Sequence, residues 1–252
     1  MSKTTTYIVL IICLSLATLL FSFDPIAQDI NYHLFADGRC MLSIPNNLNV
    51  ISNIPFLLAG LYGLWVVYAS KSNRIQKDLK LGLITFFVGV ALVSVGSGYY
   101  HLAPDNQTLV WDRLPMTIAF MALFSVTIGE FISLKYTKTI LSLLITFGIF
   151  SIAYWITTEA KGAGDLRFYI LVQFLPILLI PIFLIMNTNK SRSTSGYWQL
   201  IGFYALSKVF EHYDEQIFML FSEVSGHSLK HIFAATGIFL YARSYLDKSD
   251  KV

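Results

Sequence analysis

Long apolar runs alternate with short polar connections along almost the whole chain. The runs cover residues 7–23, 49–70, 80–101, 114–134, 138–156, 167–187, 197–217 and 229–246. Each run is close to the about 20 mainly apolar residues that an α-helix needs to cross the hydrocarbon layer of a bilayer. The pattern therefore predicts an all-α fold, a polytopic transmembrane bundle of eight helices in a single domain over residues 1–252.

The first run, residues 7–23, has two explanations. It follows a short segment with one lysine, as the apolar part of a signal peptide would. The residues at and after its end, Phe21-Ser22-Phe23-Asp24-Pro25, lack the small-x-small pattern of a cleavage site. We therefore expect an extra N-terminal helix, or an uncleaved signal, in front of a seven-helix core.

The composition narrows the class of protein. Apolar residues make up 55% of the 252 positions and charged residues 13%, a balance that excludes an ordinary water-soluble domain. The net charge of +3 is small and comes from lysines and arginines in the connections, so no nucleic acid is expected as a partner. The two cysteines are too few for a disulfide framework.

Basic residues fall in alternate connections, which predicts the orientation of the helices. The basic side collects Lys3, Lys71, Arg74, Lys77, Lys80, Lys135, Lys138, Lys190, Arg192, Arg243, Lys248 and Lys251. The opposite side collects Asp24, Asp29, Asp37, Asp105, Asp112, Glu159, Asp165, Glu215 and Glu223. Since basic loops stay in the cytoplasm, we expect eight spans with both termini inside, or seven without the first helix. In both cases His101, Asp112 and His227 lie toward the non-cytoplasmic face.

A serine and a histidine share one helix face at the end of the third run. In Gly96-Ser97-Gly98-Tyr99-Tyr100-His101, the i, i+4 spacing points Ser97 and His101 into the same space. Asp112 follows eleven residues after His101, at the start of the next predicted helix. A connection this short keeps two antiparallel helix ends together, so Asp112 can approach His101.

Two further histidines open the last run. His227 and His231 are also four residues apart, a spacing at which two imidazoles can chelate one ion. Three neutral histidines with one open position form a known catalytic zinc arrangement, and zinc lowers the pKa of water in the open position to roughly 7. Asp112 would then accept and return a proton, and Ser97 would donate a hydrogen bond to the oxyanion of a tetrahedral intermediate. The set predicts a zinc-dependent amide hydrolase.

Each of these elements also has a simpler explanation. A histidine pair at a helix end often binds no metal, and Ser97 on a glycine-rich helix often serves close helix packing. Asp112 and Arg113 could form an exposed pair at a helix N-terminus. The convergence of the polar groups at one depth, where such groups are costly, favours the joint site. His33 and His212 are expected in loops or interfaces, with His212 also a candidate partner for a zinc histidine.

Charged residues interrupt the seventh run, so its far half is expected to face protein or water. They are Lys208, Glu211, His212, Asp214 and Glu215. Lys208, Glu211 and Asp214 follow an i, i+3, i+6 pattern and form a stripe on one helix face. The stripe is either a self-neutralising ion cluster that braces the bundle or a group that orients a zinc histidine through its free ring nitrogen.

The ordered set Ser97-x-x-x-His101, Asp112 and His227-x-x-x-His231 resembles the signature of the alkaline ceramidases and of the wider superfamily that includes the adiponectin-type receptors. The segment Asn49-Val50-Ile51-Ser52-Asn53 resembles the stretch that opens the first helix of the ceramidase core. The resemblance covers residues 37–246. It implies a seven-helix core around a lipid pocket and a zinc held by the three histidines. It also implies roles for Ser97 and Asp112 in cleaving ceramide to a long-chain base and a fatty acid.

Two features depart from the animal members of that family. Those members carry a calcium site in an acidic stretch before the core, whereas residues 37–46 here are shorter and have one carboxylate, so bound calcium is not expected. The additional first helix and the style of the sequence suggest a bacterial-type member in an inner membrane. Many bacteria make no sphingolipid, so the resemblance predicts the hydrolytic chemistry better than it predicts the substrate.

The expected protein is thus an integral membrane hydrolase with a lipid substrate and zinc as cofactor. Three alternatives stay open. The first is a hydrolase of another acyl-amide or acyl-ester lipid. The second is a non-catalytic lipid receptor or sensor in which zinc has a structural role. The third is a transporter whose pathway would use Lys208, Glu211 and Asp214.

Overall fold

The computed structural model describes residues 3–69, 75–187 and 194–246, with side chains from residue 11 onward. Within these ranges the regular structure consists of α-helices and a short 3-10 helix, Ile30–His33. The one β-type contact found there is an isolated bridge between Met41 and Ile44. The fold is therefore the all-α bundle that the hydrophobic pattern predicts.

The helices follow the apolar runs closely. In chain order they are α1 (Lys3–Phe21), α2 (Asn47–Ile51), α3 (Ile54–Ala69), α4 (Lys77–Leu102), α5 (Asn106–Phe131), α6 (Thr137–Glu159), α7 (Arg167–Ile185), α8 (Ser195–His212), α9 (Asp214–Phe221) and α10 (Gly226–Ser244). Five segments are long and apolar enough to cross a membrane: α2 with α3, α4, α5, α6 and α7. The presence of seven core spans and one additional N-terminal span stays a prediction.

The helices surround a cavity without closing the circle around it. α4 packs against α3 and α5, and α10 packs against α3 and α8. α7 packs against α5 and α6, and α1 lies against α7. In the part of the chain that the structure describes, the consecutive helices α7 and α8 are not a closely packed pair. Phe174 of α7 lines the cavity and is 46% exposed, so the cavity reaches the surface on the side where α7 faces α8.

The start of α5 differs from the prediction. The helix begins at Asn106, eight residues before the predicted run, because Asp105 and Thr108 form a capping box. The Thr108 N–H donates to Oδ1 of Asp105 at 2.6 Å, and the Asp105 N–H donates to Oγ1 of Thr108 at 3.1 Å. Asp112 consequently lies in the second turn of α5 and not at its start.

The seventh run is not one helix, which corrects the prediction for residues 197–217. α8 ends at His212 and α9 begins at Asp214. The break lies where the N-terminus of α10 packs: a Cβ at Gly226 would overlap the Phe210 carbonyl oxygen and the Asp214 backbone. The start of α10 therefore lies directly against the junction of α8 and α9.

Of the basic residues assigned to the cytoplasmic side, those that the structure describes lie at the end of the bundle opposite His101 and Asp112. They are Lys77, Lys80, Lys135, Lys138 and Arg243, at the start of α4, around the connection from α5 to α6, and at the end of α10. Lys71, Arg74, Lys190, Arg192, Lys248, Lys251 and the side chain of Lys3 lie outside the described residues. Which end faces the cytoplasm stays a prediction.

Gly96 lies where α4 meets the backbone of α5. A Cβ at this position would overlap the Trp111 carbonyl oxygen. We therefore expect Gly96→Ala to push α4 from α5 next to Ser97 and Asp112 and to lower the free energy of unfolding by about 1–3 kcal/mol. The measurement is thermal unfolding of the purified protein in detergent.

Gly98→Ala on the same helix is the matched control. No heavy atom lies within 4 Å of a Cβ added there. Alanine favours a helix more than glycine does, so this variant should unfold at or slightly above the wild-type temperature. Equal melting temperatures for the two variants would contradict the close approach of α4 and α5.

Candidate metal centre

Three histidine side chains meet at one end of the bundle. His101 lies in the last turn of α4, and His227 and His231 lie in the first two turns of α10. All three are buried, and their ring centroids are 4.9 to 5.2 Å apart. One nitrogen of each ring lies within 4.8 Å of the other two. The i, i+4 spacing accounts for the pair on α10, and the packing of α4 and α10 against α3 adds His101.

The nitrogen geometry fits a metal ion. The Nε2 atoms of His101 and His227 are 3.3 Å apart. Two nitrogens that bind zinc tetrahedrally at about 2.0–2.1 Å are separated by about 3.3 Å. Nitrogens this close in a buried site must share a proton or bind a cation, and the third ring favours a cation. The donor set suits zinc, and imidazole also suits copper, iron and nickel.

Ser52, the residue that ends α2, determines the tautomer of His231. Its hydroxyl donates to the Asn49 carbonyl oxygen at 3.1 Å and lies 2.8 Å from Nδ1 of His231. With its one hydrogen donated to the Asn49 carbonyl oxygen, the hydroxyl accepts a hydrogen bond from the Nδ1–H of His231. The Nε2 atom then carries a free lone pair directed at the cluster, as a metal ligand requires.

Asp214 holds the start of α10 in place. Its Oδ1 accepts the backbone N–H of His227 at 2.6 Å, and its Oδ2 accepts the N–H of Ala36 at 3.1 Å. The carboxylate therefore accepts a hydrogen bond from the backbone of a histidine in the cluster and not from a ring nitrogen. Asp214 also joins α10 to the loop that precedes α2.

Phe35 covers the cluster on the side of that loop. Its ring centroid lies 4.7 Å from that of His101 and 4.5 Å from that of His227. The Asn46 amide donates to the carbonyl oxygen of His101 at 2.9 Å. Nδ1 of His101 has no hydrogen-bond partner among the described residues. The loop thus separates the histidines from the outside.

Ser97 and Asp112 line the same cavity as the three histidines. The Ser97 hydroxyl interacts with the Asp112 carboxylate. Asp112 and Arg113 are both buried, so the explanation as an exposed pair is wrong. The Arg113 guanidinium lies 4.6 Å from the ring centroid of Trp155 and 4.7 Å from that of Tyr169. The structure therefore brings together all five residues singled out from the sequence.

The cavity has a volume of about 360 Å³ and mostly apolar walls. It reaches the gap between α7 and α8, where Phe174 and Tyr204 belong to its lining. A long hydrogen bond of 3.4 Å from the Gln173 amide to the Tyr204 hydroxyl crosses that gap. The cavity is of the size and polarity that an apolar chain with one polar end would fill.

An ion triad forms the charged wall of this cavity. Glu211 accepts Nζ of Lys208 at 2.5 Å and Nζ of Lys230 at 2.6 Å. The predicted stripe is therefore correct for Lys208 and Glu211, whereas the third member is Lys230 of α10 and not Asp214. The triad connects α8 to α10.

The two remaining histidines lie away from the cluster. His33 is partly buried in an interface, with Nδ1 2.9 Å from the Tyr100 hydroxyl and Nε2 2.9 Å from Oδ1 of Asn106. His212 is exposed and its ring contacts Tyr213. No hydrogen bond of the His212 side chain is found in the described ranges, so its expected role as a partner of a zinc histidine is wrong.

Sequence reasoning gave no role to Ser52, Phe35 or Lys230. Ser52 lies in the segment 49–53 that resembles the ceramidase core, and this resemblance could have identified it as a candidate site residue. Lys230 stands between two histidines in an apolar run, where a charge is costly. No feature of the sequence indicates a role for Phe35, because aromatic residues are common in loops and the sequence does not show which residues it contacts.

A family model and a curated protein are similar to this chain. A family model described as Ceramidase matches residues 41–247, which include all three histidines, Ser97 and Asp112. A Dictyostelium discoideum protein described as an alkaline ceramidase is 29% identical over 93 residues. That match covers 32% of this chain, and the chain spans 32% of the length of this curated relative.

We expect Ser52→Ala to weaken metal binding. Losing the partner that orients a metal-bound histidine lowers metal affinity by about 10- to 100-fold. Competition with a chelator of known affinity measures the change. Ser151→Ala is the matched control, because this buried hydroxyl donates within its own helix to the Gly148 carbonyl oxygen. Equal metal affinity of wild type and Ser52→Ala would contradict the role of the hydroxyl.

A second prediction concerns Arg39, which ties the loop before α2 to the connection between α9 and α10. Its Nε and Nη2 donate to the two carboxylate oxygens of Asp37 at 2.8 and 2.9 Å. Its Nη1 and Nη2 also donate to the carbonyl oxygens of Ser222 and Glu223. Burial raises the pKa of Asp37, but the hydrogen bonds and charge of Arg39 outweigh this effect and lower the pKa below its ordinary 3.8.

Because the pKa is lower in the folded state, ionised Asp37 stabilises the fold at neutral pH, and this contribution is lost as the pH falls below about 4. At neutral pH the wild type should therefore have a higher melting temperature than Asp37→Asn. This difference in melting temperature should become smaller as the pH is lowered. Melting temperatures across this range test the prediction, with Asp24→Asn, an exposed carboxylate of the same loop, as control. A difference that does not change with pH would contradict it.

Proposed function

The chain belongs to the ceramidase family, and on this basis we propose that it is a membrane-embedded, zinc-dependent hydrolase that cleaves the amide bond of ceramide or a ceramide-like lipid. The products are a long-chain base and a fatty acid. The observation that carries the proposal is the buried cluster of His101, His227 and His231 in an apolar cavity that also contains Asp112 and Ser97.

Zinc held by the three histidines would supply a Lewis acid that polarises the amide carbonyl and activates water at neutral pH. Asp112 takes the proton from the attacking water and delivers it to the leaving nitrogen, which must depart as an amine. Ser97 donates a hydrogen bond to the carbonyl oxygen as negative charge develops there. While Asp112 is ionised, the single Ser97 hydrogen is donated to its carboxylate. Protonation of Asp112 by the attacking water then releases this hydrogen for the developing oxyanion, so the contact supports both roles.

The opening between α7 and α8 supports entry of the substrate from the bilayer. A lipid that enters sideways keeps its chains among apolar residues while its amide reaches the histidines. Phe35 lies against two of the metal-site rings and limits access of bulk water from the loop side. Exclusion of water strengthens the electrostatic interactions on which hydrolysis depends.

The location of the site follows from the distribution of basic residues. The additional first helix and the style of the sequence support an inner-membrane protein of bacterial type. We infer that its site lies toward the non-cytoplasmic face, because His101 and Asp112 lie opposite the basic residues assigned to the cytoplasmic side. Membership of the wider superfamily with the adiponectin-type receptors is part of the same proposal, and it rests on the spacing of the five site residues.

The test combines metal content with hydrolysis on the same purified samples. Wild type should contain about one zinc per chain and cleave ceramide, and His231→Ala should lose both. Asp112→Asn should keep the zinc and lose activity by a factor on the order of 10² to 10⁴, since it removes the proton acceptor. His212→Ala, an exposed histidine outside the cluster, should match the wild type.

The other outcomes separate the alternatives. Hydrolysis by protein free of metal would refute the mechanism. Saturable lipid binding without turnover would favour a receptor or sensor, and lipid flux across sealed vesicles that survives loss of zinc would favour a transporter. Turnover of other acyl-amide or acyl-ester lipids, but not of ceramide, would keep the chemistry and change the substrate.

A further inference from the structure

The charges in the cavity do not balance. Among the described residues that line it, three are cationic and two are anionic: Arg113, Lys208, Lys230, Asp112 and Glu211. Neutral or apolar side chains and the three histidines make up the rest of the lining. A buried charge without a counterion is costly, so a surplus cation favours a ligand that brings negative charge.

The surplus is located at the Lys208–Glu211–Lys230 triad. Two ammonium groups share one carboxylate, and each of the two oxygens of Glu211 is used by one lysine. An ammonium has three N–H groups, so each lysine keeps donors beyond the one that Glu211 accepts. Both lysines line the cavity and neither side chain is fully buried, at 42% exposed for Lys208 and 17% for Lys230, so a ligand in the cavity can approach them.

The other two charges do not cancel this surplus. The Arg113 guanidinium interacts with aromatic rings and donates to the neutral Gln28 side chain. Asp112 interacts electrostatically with both Lys230 and Arg113. The five charged groups that line the cavity, three cations and two carboxylates, therefore keep a net charge of +1. A metal ion at the histidines would increase it.

We propose that the Lys208–Glu211–Lys230 triad binds an anionic group at the polar end of the lipid. The preferred substrate is then an acidic acyl-amide lipid, with a phosphate, sulfonate or carboxylate near the amide, and not neutral ceramide. Lys230 lines the same cavity as His101, His227 and His231, so an anion bound there shares that cavity with the metal centre while the apolar walls hold the chains. This inference rests on the proposed hydrolase function of the same cavity.

The experiment compares two probes that differ only in charge. One is a ceramide and the other is the 1-phosphate of that ceramide with the same acyl chain, each in neutral detergent micelles. The ratio of kcat/KM for the phosphate to kcat/KM for the neutral lipid is measured. Wild type should prefer the phosphate about tenfold or more, as a hydrogen bond to a charged group predicts.

Three variants assign the preference to the triad. Lys208→Met and Lys230→Met remove a positive charge at nearly constant volume and should each lower the ratio about tenfold, mainly through KM. Glu211→Gln raises the net charge and should keep or increase the ratio. Lys161→Met, an exposed lysine in the connection from α6 to α7, is the matched control and should leave the ratio unchanged.

The outcomes are distinct. Parallel losses on both lipids in all three triad variants, with an unchanged ratio, would identify a structural brace and overturn the inference. Equal turnover of both lipids by wild type, with inhibition by free fatty acid that disappears in Lys208→Met, would assign the triad to the product carboxylate and also overturn it. No hydrolysis of either lipid by zinc-loaded wild type would instead refute the proposed function.

Discussion

The structure depends on the cost of burying polar groups where no water can bind them. At the depth of the histidines, several polar side chains are therefore tied to another element of the chain. Ser52 joins the α2–α3 junction to His231, Asp214 joins the α8–α9 junction to the backbone of His227, and Asn46 joins the loop to the end of α4. This network fixes the ends of three separate segments around one point. The metal centre is thus also the place where the loop end of the bundle is assembled.

The same constraint explains the shape of the cavity. Its apolar walls can remain open between α7 and α8, because side chains there need no polar partner in a bilayer. Its polar groups instead gather at the end near the histidines, where Lys208, Glu211 and Lys230 compensate one another in part. The division into an apolar region and a charged end matches an amphiphilic substrate. The polar end of such a molecule would then lie beside the three histidines, and its chains would lie along the apolar walls.

Departures from the predicted helix boundaries have local causes. The first two turns of α5 interleave five polar residues with Leu109, Val110 and Trp111, so the search for long apolar runs missed them. The capping box of Asp105 and Thr108 was nevertheless present in the sequence. The charges of the seventh run mark a real break, because Asp214 is used by the start of α10. Asp112 was assigned to the correct helix, and its burial depends on the close approach of α4 at Gly96.

The sequence by itself determined the helical class and the position of the apolar segments, because both follow from local hydrophobicity and length. It also indicated the pairs Ser97 with His101 and His227 with His231, since helical spacing fixes which residues share a face. Only the tertiary structure decided that His101 meets the pair from α10, that Lys230 replaces Asp214 in the ion triad, and that Phe35 covers the histidines. These contacts join residues far apart in the chain, and their geometry depends on how the helices pack, which local periodicity does not encode.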